Sequence, residues 1–269
     1  MFDILRLRMA HGQQAIGDIR SATPPEGFRG LPRIDTDAHA RCLSRSGEND
    51  GELESCSCSQ VCPTGAISLS PFSIDLGACI FCGECARACP EGAITFSDDP
   101  RLAAVSRENL LIAAGESADD YHLRAMATGD RLRSAVLRKF RHSLRLRQVS
   151  AGGCNGCEME LNATGNVNFD LGRFGVEFVA SPRHADGVVI TGPVTRNMAP
   201  ALKDTYDAIP EPKIVIAFGA CTISGGLFAD SPQLDRTFLT AIPVDLYVPG
   251  CPPHPLTFMR ALLELLEST

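Results

Sequence analysis

The chain has 269 residues, 44% hydrophobic and 21% charged, with a formal net charge of −7 at neutral pH, enough sequence for one large packed domain or two modest ones. An acidic chain with three tyrosines and no tryptophan lacks both the charge and the stacking side chains of a nucleic-acid binder. No uninterrupted apolar run approaches the roughly 18 residues of a membrane span.

Residues 1–40 read as a lead-in. They open on an amphipathic stretch (Phe2, Ile4, Leu5, Leu7, Met9) and continue through turn-forming Pro24, Pro25, Gly27 and Gly30. The opening has no signal-peptide apolar region and no cleavage site. A cytoplasmic protein is therefore expected, with any membrane association made through partner subunits.

Residues 41–97 hold eight of the twelve cysteines. Cytosolic thiols stay reduced, so disulfides are not expected, and twelve is the ligand count of three [4Fe–4S] clusters. Within this region Cys62-Pro-Thr-Gly-Ala-Ile-Ser-Leu-Ser recurs 27 residues later as Cys89-Pro-Glu-Gly-Ala-Ile-Thr-Phe-Ser. Each copy predicts a Cys-Pro turn followed by a short strand. Cys79-x2-Cys82-x2-Cys85-x3-Cys89-Pro90 is the run of bacterial ferredoxins, whose fourth cysteine ligates the other cluster. A zinc site needs four soft ligands but not this overlapping triple.

The earlier copy departs from that spacing. Cys42 is followed by an acidic, polar insertion from Ser44 to Ser55, then by Cys56, Cys58 and Cys62. Loop-closure cost grows only logarithmically with length, so an inserted surface loop is tolerable. The expected sets are Cys42, Cys56, Cys58 and Cys89 for one cluster, and Cys62, Cys79, Cys82 and Cys85 for the other. A three-iron cluster, or a free thiol at Cys42, stays open for the first set.

Residues 98–143 read as a polar helical connector. Arg101–Arg147 carries ten basic residues against five acidic ones, densest at Arg131–Arg147. This basic stretch is either a solvated helix face or a docking surface for an acidic partner or lipid headgroups.

From Leu144 onward short apolar runs alternate with helical segments. Strands are predicted at Leu144–Val149, Val176–Ala180, Gly187–Thr191, Lys213–Gly219 and Val244–Pro249, with helices near 156–164, 199–209 and 254–267. Such alternation predicts an α/β domain over 144–269 with a parallel sheet. Cys154, Cys157, Cys221 and Cys251 each lie just beyond the carboxyl end of a predicted strand, where an open α/β sheet forms its ligand crevice.

Two resemblances extend this reading. Met1-Phe-Asp-Ile-Leu-Arg, Gly27-Phe-Arg-Gly-Leu-Pro-Arg-Ile-Asp35 and the cysteine repeat make residues 1–97 similar to the two-cluster ferredoxin subunits of complex I and of formate hydrogenlyase-type hydrogenases. Gly152-Gly-Cys-Asn-Gly-Cys-Glu158, Ser181-Pro-Arg-His-Ala-Asp186, Gly192-Pro-Val-Thr-Arg-Asn-Met-Ala-Pro200, Gly219-Ala-Cys-Thr-Ile-Ser-Gly-Gly226 and Pro243-Val-Asp-Leu-Tyr-Val-Pro-Gly-Cys-Pro-Pro253 resemble the small subunit of group 4 [NiFe] hydrogenases, a homologue of the complex I subunit that holds the terminal cluster. The separated pair Cys154-x2-Cys157 is similar to the hydrogenase branch, whereas complex I subunits usually carry adjacent cysteines there.

The resemblance implies an α/β flavodoxin-like domain with one [4Fe–4S] cluster, preceded by an α+β ferredoxin-like domain with two. It implies an electron-relay subunit of a hydrogenase-type oxidoreductase, without a catalytic centre of its own, at the inner face of the cell membrane. Its partners would be a hydrogenase-like large subunit holding nickel and iron, a further iron–sulfur or formate- or carbon monoxide-oxidising subunit, and integral membrane subunits. Near the terminal cluster it implies Glu158 at the subunit interface, on a proton path or accepting local N–H bonds, and Arg183 with His184 as charges that tune the potential. Two alternatives stay open: a nickel-free or quinone-reducing complex I-like oxidoreductase, and a zinc-stabilised adaptor without redox chemistry.

Overall fold

A computed structural model describes residues 2–12, 14–46, 57–127 and 143–267. Cys56 and most of the densest basic stretch, 128–142, lie outside the described residues, as does most of the polar insertion.

The carboxyl-terminal half is built on five parallel strands: β6 (Leu144–Ser150), β7 (Val176–Phe178), β8 (Gly187–Thr191), β9 (Ile214–Phe218) and β10 (Leu246–Val248). Their order across the sheet is β10-β9-β8-β6-β7. Counted within the domain this is 2-1-3-4-5 read from the β7 edge, the flavodoxin-like order, and its switch point falls between β6 and β8. The central strands, Gly-Val-Val-Ile-Thr and Ile-Val-Ile-Ala-Phe, are buried at every residue, as parallel strands covered on both faces must be.

Because successive side chains point to opposite faces, these two strands feed two cores. Val189, Ile214, Ile216 and Phe218 pack with the helix Pro255–Glu267 through Phe258, Met259 and Leu262. Val188, Ile190, Val215 and Ala217 share the other core with Leu76, Leu110, Ile112 and Tyr121 from the amino-terminal half. The two halves are therefore joined by a continuous apolar core.

In the amino-terminal half, β1 (Pro32–Ile34) pairs antiparallel with β4 (Ile94–Phe96), and β2 (Ile67–Leu69), β3 (Phe72–Asp75) and β5 (Leu111–Ala113) form a second antiparallel sheet. The strands expected after each Cys-Pro turn are β2 and β4.

The expected helical connector differs from what forms. In its described part only Ala118–Met126 is α-helical; β5 extends the ferredoxin sheet, and Ala104 bridges Tyr247 on the edge strand β10. The reason is apolar content hidden among polar residues: Leu102, Leu110, Ile112 and Tyr121 are buried, and the Tyr121 hydroxyl donates to the Leu102 carbonyl at 2.8 Å. The lead-in also reaches across the molecule. Ile19 is buried against the carboxyl-terminal core, and Arg260 donates to the carbonyls of Ile19 (2.8 Å) and Ala22.

Candidate metal centres

Cys79, Cys82 and Cys85 lie on a tight turn that enters the helix Glu84–Ala88, with Gly83 in the left-handed region at φ 77°. Together with Cys62 they line one cavity of about 20 Å³, walled by Ile67, Ile74 and Phe96. Backbone N–H groups already aim at sulfur: Ala66 at Cys62 (3.3 Å), Phe81 at Cys79 (3.3 Å) and Ala93 at Cys89 (3.2 Å). Such donors stabilise thiolate ligands and set the potential of the group they hold.

Cys42, Cys58 and Cys89 are all buried, and Cys89 and Cys42 are the nearest charges acting on Cys58. The described members of the first expected set are thus brought together, and Cys56 lies outside the described residues. Burial is the main cause that pushes the Cys58 thiol up to about 11 and the Cys79 thiol up to about 12. Ligation of Cys58 and Cys79 by a metal therefore displaces their protons.

In the carboxyl-terminal half the thiols sit on the turns after β6, β9 and β10. Burial, then Glu158 and the thiols of Cys221, Cys251 and Cys154, raise the Cys157 thiol, so the four are electrostatic neighbours. Gly219, at φ 92°, carries the chain past them so closely that an added Cβ would stand 2.7 Å from the Cys157 sulfur; only glycine meets both demands. Unlike the buried amino-terminal thiols, Cys154 and Cys251 are exposed. Met159, Leu227 and Phe228, on the turns and helix carrying these cysteines, are large apolar side chains left exposed as well.

The donor sets fit iron–sulfur groups. The described cysteines form no disulfide among themselves, leaving thiols of the kind that ligate iron–sulfur groups.

Two elements bring the halves into contact beside these centres. Cys82 and Cys251 line the same cleft, with Phe28 stacked edge-on against His254 at 5.4 Å between them. Gly77, two residues before Cys79, meets Ile223, two residues after Cys221: a Cβ on Gly77 would lie 2.7 Å from the Ile223 side chain.

The non-cysteine expectations fare differently. Glu158 is 7% exposed and points inward, accepting from the Thr191 hydroxyl at 2.6 Å. Burial pushes its carboxyl up, but hydrogen bonds from Thr191 and Ser150 outweigh this and hold it below the usual range. It stays an anion beside the Cys157 thiol, held by local hydroxyl donors. Arg183 and His184 depart from their expected place. Both are exposed, on a short 3-10 turn. The following Asp186 is tied to Arg145 by two hydrogen bonds, 2.8 and 2.6 Å, near the amino end of β6 and away from the cysteine turn beyond Ser150. Glu158 acts on the Cys157 thiol and Arg236 on the Cys221 thiol. Arg236 was not foreseeable, because it lies outside every cysteine motif and reaches Cys221 only through the fold.

Fold and thiol constellations together define a complex I-like iron–sulfur oxidoreductase subunit with a ferredoxin domain. Residues 154–265 match the family model described as NADH ubiquinone oxidoreductase, 20 Kd subunit, and residues 72–95 match a 4Fe-4S binding domain. The chain is 45% identical over 119 residues to the probable membrane-bound hydrogenase subunit mbhJ of Pyrococcus furiosus, covering 44% of this chain and 71% of that one. It is 46% identical over 140 residues to formate hydrogenlyase subunit 7 of Escherichia coli (51% and 54% covered). It is 49% identical over 111 residues to an NADH-quinone oxidoreductase subunit of Citrifermentans bemidjiense (41% and 65% covered). The chain belongs to the family of the membrane-bound hydrogenase subunit mbhJ. It spans between about half and two thirds of the latter two relatives.

Proposed function

We propose that this chain holds three [4Fe–4S] clusters and relays electrons between a redox partner and the nickel–iron site of a hydrogenase large subunit. Cys42, Cys56, Cys58 and Cys89 would hold one cluster, Cys62, Cys79, Cys82 and Cys85 the second, and Cys154, Cys157, Cys221 and Cys251 the third. When bound, the clusters supply one-electron redox chemistry. The chain's own residues ligate, bury and hydrogen-bond them, which sets their potentials.

The observation that carries the reading is that Cys82 and Cys251 line one cleft. A cysteine of the ferredoxin half and a cysteine of the α/β half therefore border the same cleft. The exposed Cys154 and Cys251, with Met159, Leu227 and Phe228, form the face we assign to the large subunit; apolar side chains left beside functional groups mark such contacts. No helix among the described residues is long and apolar enough to cross a membrane. Attachment to the inner face of the cell membrane would then run through integral membrane subunits, and electrons would come from a further iron–sulfur or formate- or carbon monoxide-oxidising partner.

Iron, sulfide, nickel and zinc analysis of the anaerobically purified complex tests this. About twelve irons per chain with nickel in a co-purifying large subunit is the expected result. The same iron without nickel would favour a nickel-free or quinone-reducing complex, a reading supported by the similarity to the NADH-quinone oxidoreductase relative. Zinc in place of iron would overturn both.

A further inference from the structure

Arg236 is partly buried against the helix Ala220–Ser224, which carries Cys221. Its guanidinium donates to three consecutive carbonyls, those of Cys221 (3.2 Å), Thr222 (2.8 Å) and Ile223 (2.9 Å). The Cys221 carbonyl also accepts the Gly225 N–H at 2.9 Å, whereas the last carbonyls of a short helix lack intrahelical partners, and the planar fork of arginine suits several at once. Thr222 holds the same helix from the other side, its hydroxyl donating to the Gly192 carbonyl at 2.9 Å.

These hydrogen bonds engage both terminal nitrogens of Arg236 but do not neutralise its charge. The charged groups acting on it are Arg107, which repels it, and Cys221; no carboxylate is among them. Arg107 cannot supply a counter-charge and is itself committed to Asp75 at 2.9 Å. A half-buried cation without a carboxylate is costly unless an anion is nearby, and the anion this geometry offers is a thiolate-ligated centre at Cys221.

We propose that Arg236 is the positioning residue of the third cluster, its fixed positive charge beside Cys221 favouring the reduced form and raising that cluster's potential above what the thiol cage alone would give. This inference rests on the three-cluster reading. Reduction adds one electron and one negative charge to the site, with no proton or leaving group involved, so a nearby cation stabilises the product more than the reactant.

The test is an EPR-monitored redox titration of the intact, anaerobically purified complex carrying wild-type chain, Arg236→Gln or Arg236→Lys. Glutamine keeps an amide donor for the carbonyls and removes the charge; lysine keeps the charge. We expect Arg236→Gln to retain wild-type iron while its reduced-to-oxidised ratio at fixed potential falls about tenfold, ~59 mV for a one-electron couple. Arg236→Lys should recover most of that ratio, and the two ferredoxin-half signals should not move. An unmoved midpoint in Arg236→Gln would overturn the proposal. So would loss of the third cluster from both variants, since Arg236 would then only hold the turn. The wild-type titration tests the underlying reading separately: absence of a third reducible signal there would sink the three-cluster assignment itself.

Discussion

The two halves assemble their thiols by opposite routes. In the ferredoxin half Cys79, Cys82 and Cys85 come from one short turn, so local spacing brings them together before any tertiary structure forms. In the α/β half Cys154, Cys157, Cys221 and Cys251 come from three turns nearly a hundred residues apart, gathered because parallel strands place their carboxyl ends at one edge. The solvent environment divides the same way. Cys42, Cys58, Cys85 and Cys89 are buried, whereas Cys154 and Cys251 are exposed. An insulated centre suits transfer within the chain; an open one suits a partner. Assembly from distant strands also makes the second constellation depend on the fold around it, through Gly219, Glu158 and Arg236.

That contrast can be broken most forcefully at the ligands. Replacing Cys157 by serine should remove one cluster, about four of twelve irons, and leave the ferredoxin signals intact; loss of all three signals would show that the halves do not hold their centres independently. Next in size, Gly219→Val should abolish the third cluster alone, because a side chain there adds ~1–2 kcal/mol of left-handed backbone strain to a collision with the Cys157 sulfur. Retention of wild-type iron in that variant would mean the turn is more pliant than its geometry states.

A smaller effect is expected at Thr191→Val, which strips a donor from the buried Glu158 carboxylate. The cost should be about 1–3 kcal/mol, read as a lowered thermal midpoint of the assembled complex, and a midpoint equal to wild type would deny Glu158 its supporting role. Smallest is Arg107→Gln. Its pair with Asp75 is partly exposed, at 34% and 22%, so the loss should be about 1 kcal/mol or less. A large loss would mean that this pair, and not the apolar core around Leu76 and Leu110, holds the amino-terminal half together.

Much of this could be read from residues alone, for reasons that differ by region. The strands at 187–191 and 214–218 were legible because buried parallel strands are continuous apolar runs, and that at 144–150 because its apolar residues alternate with polar ones. The ferredoxin turn was legible because its chemistry is local. The convergence of Cys221 and Cys251 with Cys154 was legible only through topology, once alternating strands and helices implied a parallel sheet. What escaped was tertiary. Leu102, Leu110 and Tyr121 sit among charged residues whose average polarity conceals a strand and a buried tyrosine. Arg183 and His184 follow a strand, as the cysteines do, but β7 ends level with Leu146 and the chain turns back toward the amino end of β6. Arg236 had no motif at all; its role comes from three carbonyls that only the folded chain presents.

The central claim is that the ferredoxin and α/β centres form one relay, with Cys82 and Cys251 on a shared cleft. EPR of the fully reduced complex tests it directly, since paramagnetic clusters held this close interact magnetically. The account predicts broadened or split signals in the wild type that collapse to simple ferredoxin spectra in Cys157→Ser. A wild-type spectrum equal to the sum of isolated clusters, unchanged in shape by that substitution, would contradict it.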